Sequence, residues 1–278
     1  LISSPEADVL PAWRWFFRLA AGLALIAGFL LFPLATETDR FFSWTIGPPI
    51  TAAFLGAAYW AAFVLLAWSA AQTSWRRAGA AVLPVLTIAA LLLVVTLIHL
   101  DKFDLDSVFG WFWLVVYLCV TPLLLYLVWL QGRPSTAAGE RGVHVVVRAV
   151  LSLQGALLLA VGAALLIAPV DASDLWPWTL TPLTARAIGA FLVGFGVAAA
   201  YSVRLDDLAA LRGCAYSYTV LGALEILAPA IHGGDLTGTA AHCSAYFAFW
   251  ASVLAVGLYG VVAPEASSNA RTADSWSR

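Results

Sequence analysis

Long runs of Leu, Ala and Val alternate along this chain with short stretches where charge, Pro, Gly and Trp collect. Eight runs stand out, at roughly 12–35, 48–71, 78–100, 108–131, 143–169, 182–203, 207–231 and 240–262. Each reaches the about 20 apolar residues that a helix needs to cross a hydrocarbon core about 30 Å thick. A transmembrane β-barrel would alternate apolar and polar residues over about 10 positions. These runs are continuous, so the pattern predicts an all-α integral membrane protein with eight transmembrane helices.

A second pattern lies over the first. Residues 44–57 read WTIGPPITAAFLGA and residues 178–190 read WTLTPLTARAIGA. From Pro49 onward the two align without a gap: Pro49, Thr51, Ala52, Gly56 and Ala57 fall on Pro182, Thr184, Ala185, Gly189 and Ala190. The same register sets Ser69 on Ser202 and Ile98-His99 on Ile231-His232. The eight helices therefore read as two tandem four-helix repeats, 12–131 and 143–262, joined by a cytoplasmic linker over 132–142. An even helix count makes the halves parallel, related by an axis along the membrane normal. A polar segment, 1–11, precedes them, and a polar tail, 263–278, is expected to be disordered. In the motif, Pro suits a first helical turn, where its missing N–H costs nothing. Thr beside it can cap that turn, and Gly-Ala lets helices approach closely, as do Gly194 and Gly196.

Composition sharpens the class. Hydrophobic residues make up 62% and charged residues 11% of the 278, against about 45–50% and about 25% in soluble domains. A soluble enzyme and a disordered chain are both excluded. The formal charge of -2 gives no basic footprint for nucleic acid. Cys119, Cys214 and Cys243 are too few and too scattered for a disulfide framework. The chain starts at Leu1 and contains no Met, so an initiator is expected to precede it. Its first residues show no signal-peptide core. Arg76, Arg77, Arg133, Arg141, Arg204 and Arg212 flank the even loops. Glu37, Asp39, Asp101, Asp104, Asp106, Asp171, Asp174 and Asp235 fill the odd ones. The positive-inside rule then places both termini in the cytoplasm of a multi-pass cell (inner) membrane protein. Trp44, Trp111, Trp113, Trp176 and Trp178 fit an outer aromatic belt, and Trp13, Trp15, Trp68, Trp75 and Trp129 an inner one.

Ionisable groups within spans are costly and mark candidate sites. Arg186 and Glu225 lie at similar depth below the outer end, so they are expected to pair or to share a ligand. Ala53 and Leu92 hold the aligned positions, so the charges belong to the second half alone. Arg186, Glu225, Gln154, Trp178 and Thr184 form the candidate ligand-binding set. Glu225, Pro229 and His232 share one helix face, where Pro229 can kink the helix. Pro84 and Pro122 can do the same elsewhere. His99, His232 and His242 collect at the outer end and form a candidate metal set, for zinc, copper or haem. Each also fits a plain cap at a polar interface.

No Walker A, GxSxG or HExxH motif is present, so no enzymatic reaction is assigned. The leading expectation is binding or transport of a small solute, ion or lipid in an outward-facing polar cavity of the second half. A membrane redox protein using the outer histidines is the second. A non-catalytic subunit, with the bilayer, other membrane proteins or its own copies as partners, is the third.

Overall fold

A computed structural model describes residues 7–132 and 142–263 of the chain. Most of the expected linker, with Arg133 and Arg141, and residues 264–278 of the expected disordered tail lie outside the described residues, as do residues 1–6.

Among the described residues, eight helices are long and apolar enough to cross a membrane, the make-up of a multi-pass membrane protein. They are α1 (Pro11–Leu31), α2 (Pro49–Ala70), α3 (Trp75–Ile98), α4 (Val108–Gln131), α5 (Val145–Ile167), α6 (Pro182–Leu205), α7 (Arg212–Ile231) and α8 (Ala240–Val262). Among the described residues the only β-type pairing is a single bridge between Asp8 and Ser74.

Local chemistry sets the boundaries. α2 and α6 begin at Pro49 and Pro182, where a proline's missing N–H leaves nothing unsatisfied. Thr181 caps α6 in a reciprocal box with Thr184. α2 has no cap from its own side chains; instead Ile50 N–H donates to Asp235 Oδ2 at 3.0 Å. α3 tightens to a 3-10 turn over Gly79–Ala81, because Pro84 offers no N–H to the carbonyl one turn back. α7 starts at Arg212 rather than near 207. Asp206 closes α6 in the left-handed region, with φ 45°. Asp207 then spends its carboxylate on the N–H groups of Ala209 and Ala210 and on Arg76, at 2.8 Å.

The core sits on α2 and α6, which are buried along most of their length. α1 packs on α2, α5 on α6, α3 on α4 and α7 on α8. Across the middle, α2 packs on α7 and α6 packs on α3. Glycine allows the closest of these approaches. A Cβ on Gly189 would stand 2.8 Å from the Gly162 carbonyl oxygen of α5, and one on Gly222 2.6 Å from the Leu254 nitrogen of α8.

Two ends of the bundle differ in charge. At one, Arg76 pairs with Asp207 and Arg148 with Asp206, and Gln131 bonds to Leu10 and Asp8. At the other, the loops bearing Glu37, Asp39, Asp101, Asp104, Asp106 and Asp235 come together through contacts such as Asp104 N–H to the Ser43 carbonyl. These are called the basic end and the acidic end below.

Candidate functional site

Arg186 stands in the second turn of α6, near the acidic end. Its Nε donates to the Leu166 carbonyl at 3.0 Å, and its Nη1 lies 2.8 Å from His99 Nε2. Leu166 belongs to the last turn of α5, where carbonyls lack helical partners and a cation is favoured. His99 follows α3, which packs on α6. Partial burial holds the His99 imidazole below its ordinary pKa. Arg186 and Lys102 act in the same direction, and Asp101 opposes them. Asp101 itself is held below the usual carboxylate range, chiefly by its bond to Lys102.

Arg186 and Glu225 do not pair. Glu225 is fully buried, and its Oε2 accepts from the Tyr246 hydroxyl of α8 at 2.7 Å. The same hydroxyl lies 3.2 Å from the Glu225 carbonyl oxygen. That carbonyl is free because Pro229, one turn on, has no N–H. Glu225 Oε1 makes no hydrogen bond. The partner is set by helix neighbours: α7 packs on α8 and α2, whereas Arg186 faces the ends of α5 and α3.

The remaining ligand candidates have definite places. Gln154 is buried and donates through Nε2 to Ser252 Oγ of α8 at 2.9 Å, while its Oε1 has no partner. Trp178 Nε1 donates to Thr51 Oγ1 at 2.9 Å, joining the two copies of the motif. Thr184 is used in the α6 cap. Arg186, Glu225, Gln154, Trp178 and Thr184 therefore do not converge on one pocket.

The histidines diverge as well. His232 caps the end of α7, and His242 sits in the first turn of α8 with a buried, unpartnered Nδ1. Among the described residues no three His, Cys, Asp or Glu side chains gather in a way that could hold a metal ion. His99, whose Nε2 meets Arg186, is already engaged.

A cavity of about 330 Å³ opens near the acidic end between α5, α6 and α8. Leu158, Val161, Trp176, Tyr246, Phe249 and Trp250 are among its walls, and His242 lies at its rim. Its lining is mainly apolar, in contrast to the polar cavity expected from the spans. Two of its wall residues each hold a buried polar atom without a partner, His242 Nδ1 and Trp176 Nε1. Tyr246 connects this wall to Glu225. A cavity of about 140 Å³ lies between α1, α2, α3 and α4. In the register that aligns Pro49 with Pro182, its wall residues Phe112, Trp113, Val116 and Tyr117 fall on Ala245, Tyr246, Phe249 and Trp250. There every polar group is matched: Trp113 Nε1 donates to Thr96 Oγ1 at 2.9 Å, and Tyr59 meets Tyr117 at 2.6 Å.

The sequence alone singles out neither Tyr246 nor Ser252, and reaches Trp176 only as part of the outer aromatic belt. The repeat register, carried into α8, is the signal that reaches Tyr246, because it pairs Tyr246 with Trp113.

The fold thus defines a multi-pass, all-helical class with a mainly apolar cavity near one end. No family model matches the chain, and no curated protein or solved structure matches it either.

Proposed function

We propose that this is a lipid-binding protein of the cell membrane. It takes part of a membrane lipid sideways from the bilayer into the cavity between α5, α6 and α8. The observation that carries this reading is a mainly apolar chamber of lipid-chain size whose walls also include Trp176, His242 and Tyr246. An apolar chain fits the walls. About 330 Å³ falls within the range of small-molecule pockets, which run to about 300–1,000 Å³. Leu157 and Leu175, at 45% and 73% exposure, lie on the open side, where lipid tails would be.

The charge difference between the two ends supports a topology with the basic end and both termini in the cytoplasm. The cavity then faces the outer leaflet. The paired packing of α2 on α7 and α6 on α3 supports a duplication, because these contacts exchange places in the repeat register. On this reading the second half is the specialised one, keeping the larger chamber and the buried Glu225 in place of Leu92.

The test uses purified full-length protein, stripped of lipid in detergent and offered dioleoyl-phosphatidylglycerol, with native mass spectrometry as readout. The wild type should retain one lipid. Ala245→Trp, which fills the cavity from α8, should lose it at unchanged melting temperature. Equal lipid retention by both proteins, or none by the wild type, would overturn the reading.

A further inference from the structure

A smaller cavity of about 50 Å³ lies nearer the basic end, between α5, α6, α7 and α8. Leu151, Ser202, Cys214 and Tyr218 are among its walls. It has room only for water-sized occupants, at about 10–15 Å³ each. Tyr218, one of those wall residues, has a buried hydroxyl without a partner. Along α5 the two cavities are separated by Gln154, and along α8 by Ser252, which are bonded to each other.

Glu225 stands at the same level as this bridge. Gly222 of α7 packs on Leu254 of α8, and Gly257 on Thr219. Those contacts fix the antiparallel level of the two helices. Glu225 lies three residues beyond Gly222 toward the acidic end, and Ser252 two residues beyond Leu254 in the same direction. At 1.5 Å per residue their depths agree to about 1.5 Å. A carboxyl oxygen without a partner thus sits between a water-sized cavity and a lipid-sized one.

Its surroundings hold no charge to balance it. α2 and α8, which pack on α7, carry no Lys, Arg, Asp or Glu within their spans. The titratable groups on α8 are His242, Cys243, Tyr246 and Tyr259, and on α2 Tyr59, which is bonded to Tyr117. α7 itself adds Cys214, Tyr216 and Tyr218, and Arg212 at its basic-end start, bonded to the last carbonyls of α8. α5 and α6 carry Arg148, Arg186 and Arg204 near their ends, and Tyr201 near the basic end of α6. Tyr246 is the group bonded to Glu225.

We propose that Glu225 is a proton-binding site buried within the membrane-spanning bundle, and that its protonation is linked through Tyr246 to what occupies the larger cavity. The proton arrives from water at the basic end, by way of the small cavity. Tyr246 has one hydroxyl proton. When Glu225 is ionised, that proton is held by Oε2. When Glu225 is protonated, the acid donates to the tyrosine oxygen. The tyrosine proton is then released to the Glu225 carbonyl or to a ligand oxygen in the cavity that Tyr246 also lines. Ligand and proton therefore compete or cooperate at one hydroxyl. The linkage rests on the lipid-binding reading above, while the proton site does not.

The test is labelling of the full-length protein in detergent with N,N′-dicyclohexylcarbodiimide, an apolar reagent that attacks protonated carboxyls. The adduct is read by intact mass from about pH 5 to about pH 9, spanning values documented for buried carboxyls. The wild type should take one adduct, absent in Glu225→Gln, with labelling that falls as pH rises. Bound dioleoyl-phosphatidylglycerol should move the midpoint by about one pH unit, a tenfold change in proton affinity. Compared at equal lipid occupancy by native mass spectrometry, Tyr246→Phe should still label, with no lipid-dependent shift. No Glu225 adduct in folded wild type at any pH would overturn the proton site. Bound lipid with an unmoved midpoint would overturn the linkage and leave lipid binding standing. No bound lipid would overturn lipid binding and linkage together, with the labelling still deciding the proton site.

Discussion

Arg186 has only neutral partners among its described hydrogen bonds, an imidazole and a carbonyl. That arrangement requires His99 Nε2 to accept, so the neutral ring is the form that fits. Burial and then Arg186 hold the His99 pKa down. The folded protein therefore binds this proton less readily than the unfolded chain does. Stability from this group is full above the ordinary histidine value of about 6.5 and is lost as pH falls from there to the lowered folded value. Histidine-resolved NMR of the full chain should show His99 titrating below the ordinary histidine value of about 6.5. Arg186→Gln should raise its midpoint toward the ordinary value, and an unchanged midpoint would show that burial alone sets it. Arg186, Glu225 and Gln154 were legible as polar residues in apolar runs, where cost alone marks them. Their partners were not. Depth along a helix can be counted from sequence, but the face it turns to a neighbour depends on which helices pack together. Arg186 and Glu225 share a depth and turn to different neighbours.

At the level of elements, sequence patterns reached the helix starts best where proline fixes them. Pro49 and Pro182 open α2 and α6 as their motif implies. The start of α7 was misjudged because apolar content runs on through Leu208, Ala209 and Ala210, while Asp207 binds their backbone and delays the helix. Glycine positions carry the packing. Gly189→Ala sets a methyl against the Gly162 carbonyl at 2.8 Å, and backbone on both sides leaves no flexible side chain to yield. Overpacking of this kind costs about 1–3 kcal/mol. Gly22→Ala meets nothing within 4 Å and should be neutral or stabilise α1 by up to about 1 kcal/mol. Thermal unfolding in one detergent should separate the two, with Gly189→Ala melting lower than wild type and Gly22→Ala not. Equal melting temperatures would mean that the α5–α6 contact is looser than its geometry.

For the whole molecule, the direction of the bundle in the bilayer decides which solution each cavity meets. Arg76, Arg77, Arg148, Arg204 and Arg212 lie toward one end, and Asp101, Asp104, Asp106 and Asp235 toward the other. Asp206 and Asp207 are exceptions at the basic end, but both are spent in ion pairs with Arg148 and Arg76. Acidic residues add little to the orientation signal, which follows Lys and Arg in short loops. The basic end is therefore expected in the cytoplasm. Asp106 and Arg77 are both exposed, at opposite ends, and each can carry a reporter thiol. Cys119, Cys214 and Cys243 would first be replaced by Ala. A membrane-impermeant maleimide added to intact cells should then label Asp106→Cys directly, and Arg77→Cys only after permeabilisation. The reverse result would turn the bundle over. The larger cavity would then face the inner leaflet and Glu225 would draw its proton from outside. Lipid binding would survive that outcome, whereas the cytoplasmic proton route would not, so this measurement fixes the direction in which any coupling between the two can run.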